Sequence, residues 1–318
     1  MLLSRVAERV YWQARYLERV ENTARLLNVF STLMLDLPSK TKLGWHSLVE
    51  ITGSSEAFDK KYKQAQERSV MRFLLAEDNG HSISAMLAMA RENSRTTREV
   101  MPTEAFEQIN YLYHYAKENA VKGEKRGPRH EFLEEIITGC QQLSGLMSGT
   151  ISRDDTYNFL LLGRGVERAD MTTRIVDVGS GDLLPGITGD NSEVEVAGPY
   201  ENIMWMNILR SLSAYQMYRQ HVQDIVNPED VVEFLIQDEN FPRAVVYNLN
   251  ELKVILKQLP RNGTVSTQLN KALRVVRGGE IDKLLVVGLF DYIDVMQVEI
   301  ASIHQKIAAT WFLNQNIP

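Results

Sequence analysis

The chain has 318 residues, with 35 Lys and Arg against 41 Asp and Glu, for a net charge of −6. At 44% hydrophobic and 24% charged it carries enough apolar material for a packed core and lacks the composition of a disordered chain. The acidic balance removes the global positive field on which non-specific nucleic-acid binding depends, so no nucleic-acid partner is expected.

The one cysteine, Cys140, excludes an intramolecular disulfide and any multi-cysteine metal centre. Flanked by Ile136 and Ile137, it reads as a small buried hydrophobe. No apolar run reaches the roughly eighteen residues of a membrane span. Arg5 interrupts the N-terminus before any signal-like apolar region, so a soluble, cytoplasmic protein with no membrane partner is expected.

Apolar or small residues at Leu3, Val6, Val10, Ala14, Leu17, Val20, Ala24 and Leu27 recur in steps of three and four. That spacing draws one stripe along a single helix, which Pro38 ends. The same spacing predicts helices over about 80–99, 103–119, 130–147, 152–177, 200–223, 242–258 and 281–313. Pro102, Pro242 and Asn227-Pro228 read as helix starts. No alternating strand of useful length emerges, and the predicted fold class is all-α.

Two connections are distinctive. Residues 122–129 are basic and read as a solvated turn. Residues 178–199 hold five glycines and four acids with no Lys or Arg, and read as a surface connection.

The chain also resembles itself. At an offset of 149 residues, Arg15, Glu18, Arg19, Thr23 and Arg25 recur as Arg164, Glu167, Arg168, Thr172 and Arg174, and Glu21 becomes Asp170. Downstream, residues 45–49 resemble 205–209, and 73–79 resemble 234–240 at a slightly longer offset. Three blocks in one order predict a single duplicated bundle whose halves, about 1–150 and 151–318, share a core. Ala14 and Gly163 are the small residues at which the two equivalent helices would cross.

On a helix, Glu18, Glu21 and Arg25 form one stripe and Arg15, Arg19 and Asn22 its neighbour, so one face is densely ionic. Three readings compete. The first is a structural ion-pair network that sets the register of the halves. The second is anion recognition, with Arg15, Arg19, Arg164 and Arg168 holding a carboxylate or phosphate in a cleft between the halves. The third is a di-metal carboxylate site at Glu18-x-x-Glu21 and Glu167-x-x-Asp170. It is disfavoured because no histidine follows a glutamate by three residues.

The opening blocks over residues 3–12 and 16–25, with Ala90-Arg91-Glu92-Asn93-Ser94-Arg95 and residues 103–110 and 205–218, resemble the bacterial alpha-E domain family. That family is all-helical with a Glu-Arg motif, matched here by Glu18-Arg19 and Glu167-Arg168. The resemblance implies a genomic setting beside an ATP-grasp-like protein and a transglutaminase-like protein, and so an accessory role in peptide or amide-bond metabolism. Leu252-Lys253-Val254 stands where the second half would repeat Arg91-Glu92-Asn93, so Arg91, Glu92 and Arg95 would serve from one half only.

The expected function is therefore a non-catalytic accessory or binding protein without a cofactor. Its partner would be an ATP-grasp-like or transglutaminase-like protein, with a peptide or anionic ligand as a further candidate. The expected binding set is Arg15, Glu18, Arg19, Glu21, Arg25, Arg91, Glu92, Arg95, Arg164, Glu167, Arg168, Asp170 and Arg174. The rival is an enzyme or small-ligand binder in which Glu18 or Glu167 acts as general acid–base.

Overall fold

Ser4–Asp36 folds as one 33-residue helix, α1, whose apolar stripe (Val10, Tyr11, Ala14, Leu17, Val20, Ala24 and Leu27) is buried along its length. The computed structural model describes residues 2–36, 44–181, 201–286 and 288–312. Pro38 and the acidic segment from residue 182 onward lie outside them. Every described element is helical.

After α1 come two short helices, α2 (His46–Ile51) and α3 (Ser55–Asp59), then α4 (Glu67–Leu75), α5 (Ile83–Arg95), α6 (Thr103–Gly123) and α7 (Arg126–Thr150). The long α8 (Asp155–Gly181) follows. Behind it come α9 (Glu201–Ser211), α10 (Tyr215–His221), α11 (Pro228–Gln237), α12 (Val245–Leu256), α13 (Gly263–Arg277), α14 (Ile281–Val286) and α15 (Leu289–Ile307). The last closes in a π-helical turn, Ala308–Phe312.

Helix α1 packs against α5, α7, α8 and α9, and against the C-terminal π turn. Surrounded on several sides, it buries polar side chains as well as its stripe: Gln13, Arg15, Glu18, Glu21, Asn22 and Thr23 are all buried. Helix α8 is held in the same way between α1, α12 and α15. Buried charges need partners, and the sequence supplies them at matching heights on the two helices.

Several elements depart from the spacing-based expectation. The helix predicted over 200–223 is two, α9 and α10, because Ser213 takes a left-handed backbone (φ +52°) and ends the first. The helix over 281–313 breaks at Gly288 (φ +101°), a conformation that lacks the side-chain clash only for glycine. Asn227 starts α11 as predicted, its side chain accepting from the Asp230 amide at 2.9 Å. Pro242, by contrast, precedes α12 rather than sitting in its first turn.

The basic segment 122–129 is not a loop. Helices α6 and α7 leave only Glu124 and Lys125 between them, and Pro128 falls in the first turn of α7, where a missing amide is tolerated. Arg129 is buried there; its Nη1 donates to Glu67 Oε1 at 2.9 Å and its Nη2 to the Glu124 carbonyl at 2.8 Å. Arg126 pairs with the same Glu67. Cys140 is buried as expected, and burial pushes its thiol well up, which suits a packing residue.

Where α8 meets α15, burial first and Asp294 second raise the Asp177 carboxyl to about 6 from an ordinary value of 3.8. Gln297 Nε2 donates to it at 3.4 Å. A folded pKa above the unfolded one means the fold disfavours the ionised form, so stability falls as pH rises through that interval. Asp177→Asn is therefore expected to melt higher than wild type at pH 7 and no higher at pH 4. Equal melting-temperature differences at both pH values would refute this assignment.

Candidate functional site

The site begins at a crossing of backbones. Gly163 of α8 lies against the Tyr11 carbonyl of α1, and a Cβ there would collide with that oxygen and come within 3.2 Å of Ala14 Cβ. Contact this close sets the next turn of each helix opposite the other, and those turns carry Glu18-Arg19 and Glu167-Arg168.

The two Glu-Arg pairs exchange partners. Arg19 Nε donates to Glu167 Oε1 at 2.5 Å and its Nη2 to Oε2 at 3.0 Å, while Arg168 Nε donates to Glu18 Oε1 at 2.8 Å. Arg15 adds a second cation to Glu167, Nε to Oε2 at 2.7 Å. Glu167 is 1% exposed and Glu18 5%. Burial alone would raise both carboxyls. For Glu167 the guanidiniums of Arg15 and Arg19 outweigh it and hold the group down to about 2. For Glu18, Arg168 and Arg243 do the same, and its pKa is lowered.

Arg243, just before α12, closes the far side. Its Nη1 donates to Asn22 Oδ1 at 2.5 Å and to Glu18 Oε1 at 3.3 Å, and its Nη2 to Glu21 Oε1 at 2.8 Å. Thr172 of α8 fixes this segment by donating its hydroxyl to the Arg243 carbonyl at 2.8 Å. Glu21 also accepts from Arg25 at 2.7 Å, and one turn along α8 the equivalent pair Arg174 and Asp170 meets at 3.0 Å. The hydrogen bonds to Glu18 and Glu21 all fall on Oε1.

Arg164 differs. Its counterpart Arg15 is hydrogen-bonded to Glu167, whereas Arg164 donates from Nη1 to the neutral Ser144 Oγ at 3.2 Å and feels the Glu18 carboxylate at longer range. Burial and the neighbouring Arg168 lower its pKa. Beside it, a small open cleft of about 30 Å³ lies between α1, α7 and α8, walled by Leu17, Leu143, Met147 and Leu160 and edged by Glu18, Glu21, Ser144 and Arg164.

Of the residues expected to act together, the structure joins Arg15, Glu18, Arg19, Glu21, Arg25, Glu167 and Arg168 in this seam, with Asp170 and Arg174 at its end. It does not join Arg91, Glu92 and Arg95. Glu92 and Arg95 pair with each other on the surface of α5, and Arg91 donates to Asn110 of α6 at 2.6 Å. The di-metal reading fails on geometry, because arginines occupy Glu18 and Glu21 and no group of three metal-ligating side chains exists among the described residues.

Sequence reasoning missed Arg243 and the aromatic flank. Tyr11 and His304 hydrogen-bond at 2.9 Å and stack beside Arg15. Burial and then Arg15 push His304 down to about 4, and burial pushes Tyr11 up to about 12. Arg243 had one sequence cue, its place beside a proline at a helix start, and that cue says nothing about a charge partner.

These features define a class: an all-helical bundle whose two longest helices are joined by exchanged Glu-Arg pairs. A family model described as a predicted alpha-helical domain with a conserved ER motif matches residues 2–312, and the chain belongs to that Alpha-E family. No curated protein and no solved structure matches it. No helix among the described residues is long and apolar enough to cross a membrane.

Proposed function

We propose that this chain is a non-catalytic, cytoplasmic binding protein, an accessory to an ATP-grasp-type ligase or a transglutaminase-like protein in peptide or amide-bond metabolism. One observation carries the non-catalytic part: both candidate acids are buried, arginine-bound and lowered in pKa. A general acid or base working near neutral pH needs a carboxyl raised towards that pH and free to reach a substrate. Glu18 and Glu167 have neither property, so their role is to lock α8 onto α1.

The exchanged pairing also supports an internal duplication with halves of about 1–150 and 151–318, since each half contributes the same two residue types in mirrored roles. The partner's identity rests on the family's genomic setting alone.

The test is co-purification of this chain with an ATP-grasp-like and a transglutaminase-like protein of the kind the family's genomic setting implies, with and without ATP. Retention of either partner is the expected result. A chain that elutes alone in every condition overturns the accessory role.

A further inference from the structure

Charge is segregated along the second half of the chain. Residues 224–239 hold six acids (Asp224, Glu229, Asp230, Glu233, Asp238 and Glu239), and no Lys or Arg falls between residues 220 and 242. Residues 244–279 hold Lys253, Lys257, Arg261, Lys271, Arg274 and Arg277 against Glu251 alone, a net +5 in a chain of −6. The fold does not demand this. Helix α5 packs on α1 and α6 on α5, as α12 packs on α8 and α13 on α12, yet residues 83–123 carry five bases and five acids. Helix dipoles favour bases near C-termini, but α5 and α6 also end with Arg95 and Lys122 and stay balanced.

The basic side chains share one surface. Arg277 Nη2 donates to Asn250 Oδ1 at 3.2 Å, and this bond across a short connection makes α12 and α13 antiparallel. Lys253 and Lys257 follow Asn250 at helical spacing, and Arg274 precedes Arg277 by one turn, so they line one exposed face with Val254 among them. Like charges at these spacings repel. Lys271 pairs with Glu299 and Arg277 with Glu239, whereas Lys253, Lys257, Arg261 and Arg274 meet no carboxylate among the described residues. The acids form a concave counterpart: Asp230, Glu233, Asp238 and Glu239 border a cleft of about 570 Å³ that Phe234 and His221 also line. His221 stands 3.7 Å from Asp238, and no cation among the described residues meets Glu229, Asp230 or Glu233. Ile225, at the end of this segment, is 70% exposed. Arg277 and Glu239, at 2.7 Å, mark where the two faces adjoin.

We infer that this chain self-associates, the basic face of α12 and α13 of one copy docking on the acidic cleft beside α11 of a second copy. The occupant follows from complementarity: one chain carries both faces, side by side and with nearly equal and opposite charge. A long polyanion such as a nucleic acid would meet the adjoining acids as well as the bases and be repelled. Complementary charge steers encounter and fixes register, and the exposed Val254 and Ile225 supply apolar contact within it. The inference does not depend on the ligase partner.

Sedimentation velocity of the full chain tests it. Two or more copies are expected at roughly 10 mM salt, where charges act over about 30 Å, and one copy at roughly 1 M, where the range is about 3 Å. Lys257→Glu with Arg274→Glu, and separately Glu229→Lys with Glu233→Lys, are each expected to abolish association at low salt. Mixed together, these two variants set an acidic face against a basic cleft and are expected to form a 1:1 complex. Lys63→Glu with Arg68→Glu, at exposed positions elsewhere, gives the same net charge as the first variant and is expected to leave association intact. A single copy at low salt overturns the inference, as does equal loss in the Lys63 and Arg68 variant or failure of the folded reversed variants to combine. So does a chain that stays monomeric and captures an octaglutamate peptide through Lys257 and Arg274, which assigns the basic face to a foreign acidic protein.

Discussion

Glu167→Ala is expected to lower the stability of the folded chain by about 3–5 kcal/mol, the cost of breaking a buried pair from one side. The size follows from what is left behind. Arg15 is 7% exposed and would keep its charge in the core with no carboxylate, whereas the Arg19 side chain, 25% exposed, can turn to water. Native domains are stable by only about 5–15 kcal/mol, so this one change removes a large share. Urea denaturation at pH 7 measures it, and a loss below about 1 kcal/mol, the level of a solvent-exposed ion pair, refutes the locking role.

The same residue sets a pH dependence. Its folded pKa of about 2 lies below the ordinary value of 4.5, so its contribution is complete above pH 4.5 and is lost as pH falls towards 2. The gap between wild type and Glu167→Ala should therefore narrow at pH 3. Replacing Arg15, Arg19 and Glu167 together by apolar residues should recover much of the loss, because no charge is then stranded.

Gly163→Ala is the second large effect. In an open helical position, alanine for glycine gains about 0.5–1 kcal/mol. Here the added methyl would meet the Tyr11 carbonyl, a backbone atom that moves only if α1 and α8 separate. Overpacking of this kind costs about 1–3 kcal/mol. Separation also lengthens ion pairs that stand at 2.5–2.8 Å just beyond the crossing. Net destabilisation is expected, and Gly163→Val should be worse. Gly145 of α7, with nothing within 4 Å of its would-be Cβ, is the matched control and should be stabilised by alanine. Thermal melts of the two alanine variants moving in the same direction would show that the crossing is not tight.

Helical class, the extent of α1 and the crossing at Ala14 and Gly163 were legible because each depends on local spacing and side-chain size. The ionic residues of α1 and α8 were legible as a group for the same reason. Which arginine meets which acid was not, since a stripe fixes the face of a helix and leaves the partner across it open. Arg243 shows the limit most clearly: it enters the seam from more than 220 residues away and carries no periodic signal. Arg129 was misread because four basic residues within eight positions suggest solvent, and only the fold brings Glu67 to it. Helices α4 and α13 were passed over although both bury a regular apolar face, α4 with Met71, Phe73 and Leu74 and α13 with Val265, Leu269 and Leu273.

The contact of Tyr11 with His304 and Phe312 has a consequence for how the chain reaches this state. The hydrogen bond spans 293 residues, and Tyr11 is fully buried only when the π turn after α15 has arrived. A nascent chain therefore leaves the Tyr11 end of α1 without this last cover until α15 and the turn after it have been made, although α5, α7, α8 and α9 can pack on the rest of the helix earlier. Closure of long loops is slow, and exposed apolar surface in partly made chains invites aggregation. The helix that organises the bundle is thus also the one whose packing closes only when the C-terminal π turn has been made.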